Sequence, residues 1–505
     1  MQCFSSEKAV NFLHSIDFDA NLMYINSWLK TKVNEQRKKT MKYTTDMTTG
    51  SEFRHIIRFA LPMLAGNLFQ QVYNIADSVI VGKYLGSDAL ASVGATGSIT
   101  YFFYTLCIGL ATGIGILISQ NFGAGNHENV KKYIANSAYV LGIFGVVTSV
   151  LSTVLTPFLL QLMGTPHEIF DAAAGYMRIA CSGTIAVAAY NWINAVMRSL
   201  GDSKTPLIFL VVASILNVGL DLLFVVIFQM GINGAALATI IAQAVSAIGS
   251  IIFGFAKNPM FKLSRENAFF DRKFASKCIT TGVPIALQNA MVSVSMIYLQ
   301  SVANSFGKTV VAAYTATMRV EQLVHQPFSS LNAALSAFTG QNVGAGKKER
   351  VVTGYKQSMK AGVVFALVLL AVFMLFSESI VGMFVDKNEM IELDGVLVNI
   401  GAEVISIGAA ALKISALFYI ALGAIHITRG LLNGAGDVKY AMINGFAEVA
   451  GRIGFAIILV NIPATGYFAV WGTTCLTWLL TGIMSVVRYK QGVWEKKMET
   501  VVKEM

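Results

Sequence analysis

Two acidic side chains stand where acids are costly. The stretch LFQQVYNIADSVIVGKYLG, residues 68–86, is apolar enough to cross a membrane and carries Asp77 inside it. At about 100° per residue on a helix, Asn67, Gln70, Gln71, Asn74, Asp77 and Ser78 fall on one face, a polar stripe that ends in a charge. Further along, ILNVGLDLLFVV sets Asn217 and Asp221 four residues apart, one turn, on one side of a second apolar helix. An aspartate at the centre of such a helix costs about 2.5–3.5 kcal/mol to insert. Snorkelling of Asp77 toward the nearby outer face, or a bond to a neighbouring helix, would offset that cost, but neither needs a row of amides leading inward. Two carboxylates close together in a low dielectric cannot both stay ionised without a cation or a proton between them. Reversible capture of such an ion is the chemistry these residues offer.

The elements that position them follow from composition. The chain has 505 residues, 55% hydrophobic and 13% charged, with a mean hydropathy of +0.60; a soluble protein carries about 25% charged residues. Apolar runs predict twelve transmembrane helices, roughly 56–81, 89–119, 133–159, 172–196, 206–229, 233–256, 278–303, 310–340, 357–385, 408–430, 440–462 and 465–487. Connections after even-numbered spans hold most of the basic residues, among them Lys131, Lys132, Arg198, Lys262, Arg272, Lys347, Arg350 and Lys439, whereas those after odd-numbered spans hold Lys83, Lys308 and Lys387. The positive-inside rule then puts both termini in the cytoplasm. It also makes the net charge of +10 a topology signal rather than a nucleic-acid footprint. Cys3, Cys107, Cys181, Cys278 and Cys475 have no metal-ligand or redox spacing and read mostly as small hydrophobes inside helices.

Internal repetition organises the chain. ISQNFGAGNHENVKK from Ile118 recurs as TGQNVGAGKKERVVT from Thr339, which aligns Gln120 with Gln341 at an offset of 221. Pro62 answers Pro284, and LGDSK from Leu200 answers AGDVK from Ala435 at an offset of 235, so the second copy holds 14 extra residues in its acidic outer loop, DKNEMIELDGVLVNIGAE. The expected organisation is an N-terminal cytoplasmic extension over 1–50, weakly ordered; a six-helix bundle over 51–256; a basic cytoplasmic linker over 257–277; a second six-helix bundle over 278–487; and a cytoplasmic tail over 488–505. The fold class is all-α integral membrane, with two pseudo-symmetric bundles.

The halves differ in charge. Position 299 or 298, opposite Asp77, is Leu or Tyr, and the positions opposite Asn217 and Asp221 are Arg452 and Ala456. The second half carries instead Glu448 with Arg452, and Arg319 with Glu321, read as mutually compensating ion pairs or as lining of a substrate path. The glycine-rich GAGN and GAGK lack the frame of a nucleotide-binding loop and read as tight turns. His127, His167, His325 and His426 share no ligand spacing, no nucleophile and base pair emerges, and no pore ring is visible, so neither an enzyme nor a channel is expected.

LPMLAGNLFQQVYNIADSVIVGKYLG, SQNFGAGN, RSLGDSKTP, LNVGLD, GINGAALATI and GQNVGAGKKER together resemble the multidrug and toxic-compound extrusion (MATE) family in its DinF-like branch, over about residues 47–490. The resemblance implies a V-shaped molecule of two six-helix bundles in a bacterial or archaeal cytoplasmic membrane, exporting organic cations by antiport with H⁺ or Na⁺. It places the coupling-ion site at Asp77, Asn217 and Asp221, with Gln70, Asn191 and Thr239 as neighbours and Na⁺ bound, where Na⁺ is the ion, at Asp77 and Asp221. Some branches use a glutamate in helix seven; the matching position here is Val292, which shifts the coupling to the first half. Tyr73, Phe102, Phe103 and Tyr104 offer aromatic surface to flat cations. A lipid-linked oligosaccharide flippase of the same superfamily is the alternative, favoured by Arg178, Arg319, Lys413 and Arg452 as a basic cleft and disfavoured by the span count. The expected partners are small organic cations and the lipid bilayer, with no nucleic acid, no cofactor and a monomeric state. Deleting residues 2–40 is expected to leave folding and efflux intact, as read by size-exclusion profile and dye transport.

Overall fold

The computed structural model describes residues 43–505 apart from 389, 394 and 395. Most of the expected extension, residues 1–42, lies outside the described residues. Twelve long helical units follow one another. The first six are α1 (Glu52–Leu85), α2 (Ser87–Gly123), α3 (His127–Leu162), the pair α4 (His167–Ser182) and α5 (Thr184–Ser199), α6 (Lys204–Asp221) continued by a π-helical turn (Leu222–Ile227), and α7 (Gly231–Lys257). A short helix α8 (Arg265–Ala268) lies in the connection. The second six are α9 (Arg272–Asn304), α10 (Lys308–Gly344), α11 (Lys348–Val381), the pair α12 (Gly401–Leu417) and α13 (Tyr419–Gly434), α14 (Val438–Val460) and α15 (Ala469–Lys490), followed by α16 (Val493–Glu504).

Among the described residues, eight of these units are long and apolar enough to span a membrane, and two more qualify as bent pairs, α4 with α5 at 40° and α12 with α13 at 52°. Sequence periodicity predicts these pairs as the single spans 172–196 and 408–430; the structure breaks them at Gly183 and Phe418. A Cβ at Gly183 would run into Ile240, so the bend brings the chain against α7. The two units that fail on apolarity, α1 and α10, are not short: at 34 and 37 residues they extend about 50 Å at 1.5 Å per residue. They fail because each carries a row of polar groups inside, from Asn67 to Asp77 in one and from Arg319 to Gln326 in the other. The outer surface meanwhile exposes large apolar side chains such as Val154, Leu162, Ile215, Val364 and Leu375, as a lipid-facing wall requires.

The repeat persists in the backbone. Gly125 and Gly346 both turn with positive φ, 75° and 70°, and Gly201 and Gly436 with 83° and 86°. The extra residues of the second copy form a hairpin between α11 and α12, β1 (Met390–Leu393) against antiparallel β2 (Val396–Asn399). First-half α1 packs on second-half α10, and second-half α9 packs on first-half α2, so each half sends its leading helix against the other.

Consecutive units alternate in direction, so the lysine- and arginine-rich connections share one end, here the basic end. The cores show where the halves meet. Ile56, Phe59 and Ala60 of α1 join Leu331, Leu335, Phe338 and Leu431, and Ile116 joins Ile285 and Val438; these mixed clusters sit in the basic half of the bundle. Toward the far end each cluster keeps to one half, as with Ile80, Val81, Val225 and Ile232 in the first and Leu299, Tyr314, Val404 and Trp471 in the second. The bundles are therefore fused at the basic end and separate toward the far end.

The chain entering α1 is tied down rather than loose: Met47 is 1% exposed, and Arg350 donates to the carbonyls of Met47 and Gly50 and pairs with Glu52 at 2.8 Å. At the other terminus the expected tail is helix α16, whose Trp494 is buried and stacks on Tyr489. Lys277–Glu504 and Lys348–Glu495 bridges hold its rim. Because exposed ion pairs add at most about 1 kcal/mol, Trp494 is the anchor. Trp494→Ala is expected to detach α16, seen as rapid amide exchange and early proteolysis over residues 493–504 with the transmembrane core still protected, while Lys348→Ala leaves the helix docked.

Candidate functional site

Three helices bring the first-half acids together. Asp77 lies three-quarters of the way along α1; Asp221 is the last residue of α6 before the π-helical turn, a distortion that often accompanies function. Their carboxyl groups face one another closely enough to interact directly. Asp221 has no exposed surface, and neither of its oxygens receives a hydrogen bond from a protein donor. One oxygen of Asp77 is in the same condition, as is Oδ1 of Asn217, one turn before Asp221. The Asn217 amide donates to Thr239 Oγ1 of α7 at 3.3 Å, which leaves its carbonyl oxygen free for the site. The result is a cluster of carboxylate and amide oxygens with almost no donors. Such a set suits a proton or a hard monovalent cation; among the described residues no cluster has the His, Cys or acidic ligands of a transition-metal centre.

One to two turns toward the basic end, a cavity of about 30 Å³ lies between α1, α5, α6 and α7. It has room for about two waters. Gln70, Tyr73, Tyr190, Ser214, Asn217 and Gln243 are among its walls. Asn217 and Thr239 border both the cavity and the acids, so the cavity lies next to the site.

The structure sorts the other residues singled out by sequence. Gln70 and Thr239 border the site as placed. Asn191 does not: its amide donates to Val187 O of its own helix at 2.8 Å, and the preceding Tyr190 faces the cavity instead. The polar stripe of α1 divides, with Asn67 reaching Ser330 of the second half at 3.4 Å and Ser78 bonding back to Asn74 O. Phe102 and Phe103 pack against one another in a closed core, and Tyr104 donates to Ala180 O, so these aromatics build the first half rather than face a cleft. Tyr176, close enough to both carboxyls to feel their charge, and Gln243 were not singled out. Gln243 follows Thr239 by one turn, a spacing that could have pointed to it; Tyr176 offered no such signal.

In the second half, Arg319 and Glu321 do not pair. Two residues apart on a helix, they point in nearly opposite directions; Arg319 is exposed and Glu321 is buried beside Ser415 with Arg452 nearby. Glu448 is held by Arg452 at 3.0 Å and approached by Arg429 at 3.8 Å. Arg452 also donates to Ser295 of α9, and Arg429 to Asn444. His325 and His426, far apart in sequence, meet edge to face with ring centres 5.6 Å apart.

The repeated arrangement has a family counterpart: a model described as MatE matches residues 62–223 and again 284–458, most of the chain in two copies. The chain belongs to the MatE family. MATE relatives include the Probable multidrug resistance protein YpnP of Bacillus subtilis, 26% identical over 89% of this chain and 97% of that protein. The Probable multidrug resistance protein NorM of Thermotoga maritima is 26% identical over 88% of this chain and 93% of its own length. Among solved structures, an outward-facing conformation of a multidrug resistance MATE family transporter aligns over 92% of this chain and all of that one, with a TM-score of 0.81 at 24% identity. The chain is thus a MATE-fold multi-pass membrane transporter, not an enzyme.

The contrast between halves predicts opposite stability effects. Glu448→Gln leaves Arg452 and Arg429 without their anion and is expected to destabilise by about 3–5 kcal/mol, the usual cost of breaking a buried pair. Asp77→Asn or Asp221→Asn relieves a carboxyl–carboxyl contact and is expected to melt at or above the wild-type temperature, measured in one detergent at neutral pH.

Proposed function

We propose that this chain is a secondary active multidrug exporter of the DinF-like kind, expelling organic cations in exchange for H⁺ or Na⁺ at Asp77 and Asp221. The observation that carries the reading is the contact between those two carboxyl groups inside the first half, with Asp221 wholly buried and unserved by donors. The multidrug names of its relatives support the substrate class, and the absence of a glutamate at position 292 supports coupling in the first half. It works as a monomer in a bacterial or archaeal cytoplasmic membrane, with both termini and the basic end cytoplasmic.

With the far end open outward, a proton or Na⁺ enters between Asp77 and Asp221 and neutralises the site. Asn217 and Thr239 orient on the captured ion and Gln70 on the water path below it. Helix α1 repacks, substrate leaves, and the halves rock to open the basic end, where a lipophilic cation rebinds as the coupling ion departs. Binding of the two cations is linked reciprocally, so each lowers affinity for the other.

Asp77→Asn keeps size and hydrogen bonding but removes the charge that must be neutralised and regenerated. In vesicles with an imposed pH or Na⁺ gradient it is expected to lose gradient-driven ethidium efflux while still binding ethidium, and Asp221→Asn to do the same. Efflux by Asp77→Asn at the wild-type rate, with Glu448→Gln folded yet insensitive to the gradient, would move the coupling site to the second half.

A further inference from the structure

The conspicuous repeat, Gln-Asn-x-Gly before each glycine turn, is not used by the ion site. The structure gives it a reciprocal geometry at the basic end. Gln120 of α2 donates through Nε2 to Gly434 O at the end of α13, 2.9 Å away, and Gln341 of α10 donates through Nε2 to Ser199 O at the end of α5, at 3.1 Å. Donors are offset by 221 positions and acceptors by 235, the two offsets of the repeat itself, so one bond is the image of the other. Both crossings run from one half to the opposite half. The two glutamines are 3% and 0% exposed.

Glycine lets the helices approach closely enough for this. A Cβ at Gly123 would overlap the Gln341 carbonyl, and a Cβ at Gly344 the Gln120 carbonyl. Higher on α2, Gly109 and Gly113 meet Ala286 and Gly282 of α9 backbone to backbone. At these glycines the helices meet backbone to backbone, whereas beside them the mixed clusters of Ile56, Phe59, Leu335 and Phe338 and of Ile116, Ile285 and Val438 must separate when the seam opens. The bonds these two glutamines make across it are neutral amide to carbonyl, and water replaces both partners once the seam opens. The charged pair Arg350–Glu52 also crosses at this end, tying α11 to the start of α1. Asn121, beside Gln120, donates to Leu117 O of its own helix, whereas its counterpart Asn342 also reaches Met47 O, so the glutamines are the crossing groups common to both copies.

We propose that Gln120 and Gln341 are paired latches of the inner gate, each holding the end of a helix in the opposite half, and that both release whenever the basic end opens. The role of the latches in transport rests on the exporter reading above; their existence as a gate does not. Gln341 has a second load, since its Oε1 accepts from the Met47 amide at 2.8 Å and so also pins the chain that enters α1.

The test uses detergent-purified full-length protein in which all five native cysteines are replaced by serine and Ser199→Cys reports opening through its reaction with a hydrophilic maleimide. No gradient or dye is present, so the result stands apart from transport. Q120A is expected to speed labelling about fivefold, as one net hydrogen bond predicts, Q341A by at least as much because it also loses the Met47 bond, and the double variant by roughly the product; Asn121→Ala is expected to change nothing. A monodisperse double variant that labels at the parent rate would overturn the proposal. Should the double variant not fold, the single variants decide, and either one labelling at the parent rate overturns the pairing. Absence of efflux in wild-type vesicles would sink the exporter reading while leaving the labelling result in force.

Discussion

Asp221 sits wholly inside an apolar bundle with another carboxyl group against it and no protein donor on either oxygen. Ionising both acids there is prohibitive unless a positive charge enters with them, because desolvation and like-charge repulsion add. Much of the first half follows from keeping that arrangement usable. Asn217 is turned so that its amide goes to Thr239 and its carbonyl stays free. A small cavity lies beside the site on the basic side, and a π-helical turn after Asp221 changes the phase of α6 at the residue that carries the charge. A closed hydrogen-bond network would have been more stable and would have had nothing left to bind.

The second half shows what such closure looks like on the same fold. Glu448 lies between two guanidinium groups, Arg452 is secured to Ser295, and Arg429 to Asn444. Charge is balanced by fixed cations, so no mobile cation is required. The two copies thus treat their acids differently: the first leaves Asp77 and Asp221 without a fixed cation, and the second gives Glu448 internal counter-ions. The extra hairpin lies in this second copy, away from the basic end where the copies must fit together.

What could be read from the sequence was whatever a single helix or an exact repeat expresses. The stripe on α1, the one-turn spacing of Asn217 and Asp221, the basic connections and the two Gln-Asn-x-Gly copies are properties of consecutive residues. What escaped depends on which neighbour a helix meets. Gly183 reads as one more small residue in an apolar run until Ile240 is set against it. Asn191 and Tyr190 are adjacent, and only packing decides which of them faces α1 and α6. Arg319 and Glu321 looked like a pair because opposite charges were close in sequence, although helix geometry alone turns them apart. The hairpin was visible only as 14 surplus residues, and α16 only as a charged tail, because its stability comes from Trp494 reaching a core built by other helices.

Helix α1 connects these observations mechanically. Its basic end, Ile56, Phe59 and Ala60, belongs to a core shared with the second half; Asn67 reaches Ser330; and from Gln70 onward it packs on α6 and α7 of the first half, with Ile80 and Val81 in a core confined there. Asp77 lies one turn from that confined core. A shift of α1 that follows neutralisation of Asp77 is therefore felt at its basic end as a shift against α10, the helix whose last turn carries Gln341. Pro62 removes one backbone hydrogen bond between the two stretches and gives α1 a place to bend. In the proposed cycle, ion capture and separation of the halves act on one continuous element, anchored on opposite sides at its two ends, so repacking at the acids need not be relayed through a chain of side chains to reach the seam.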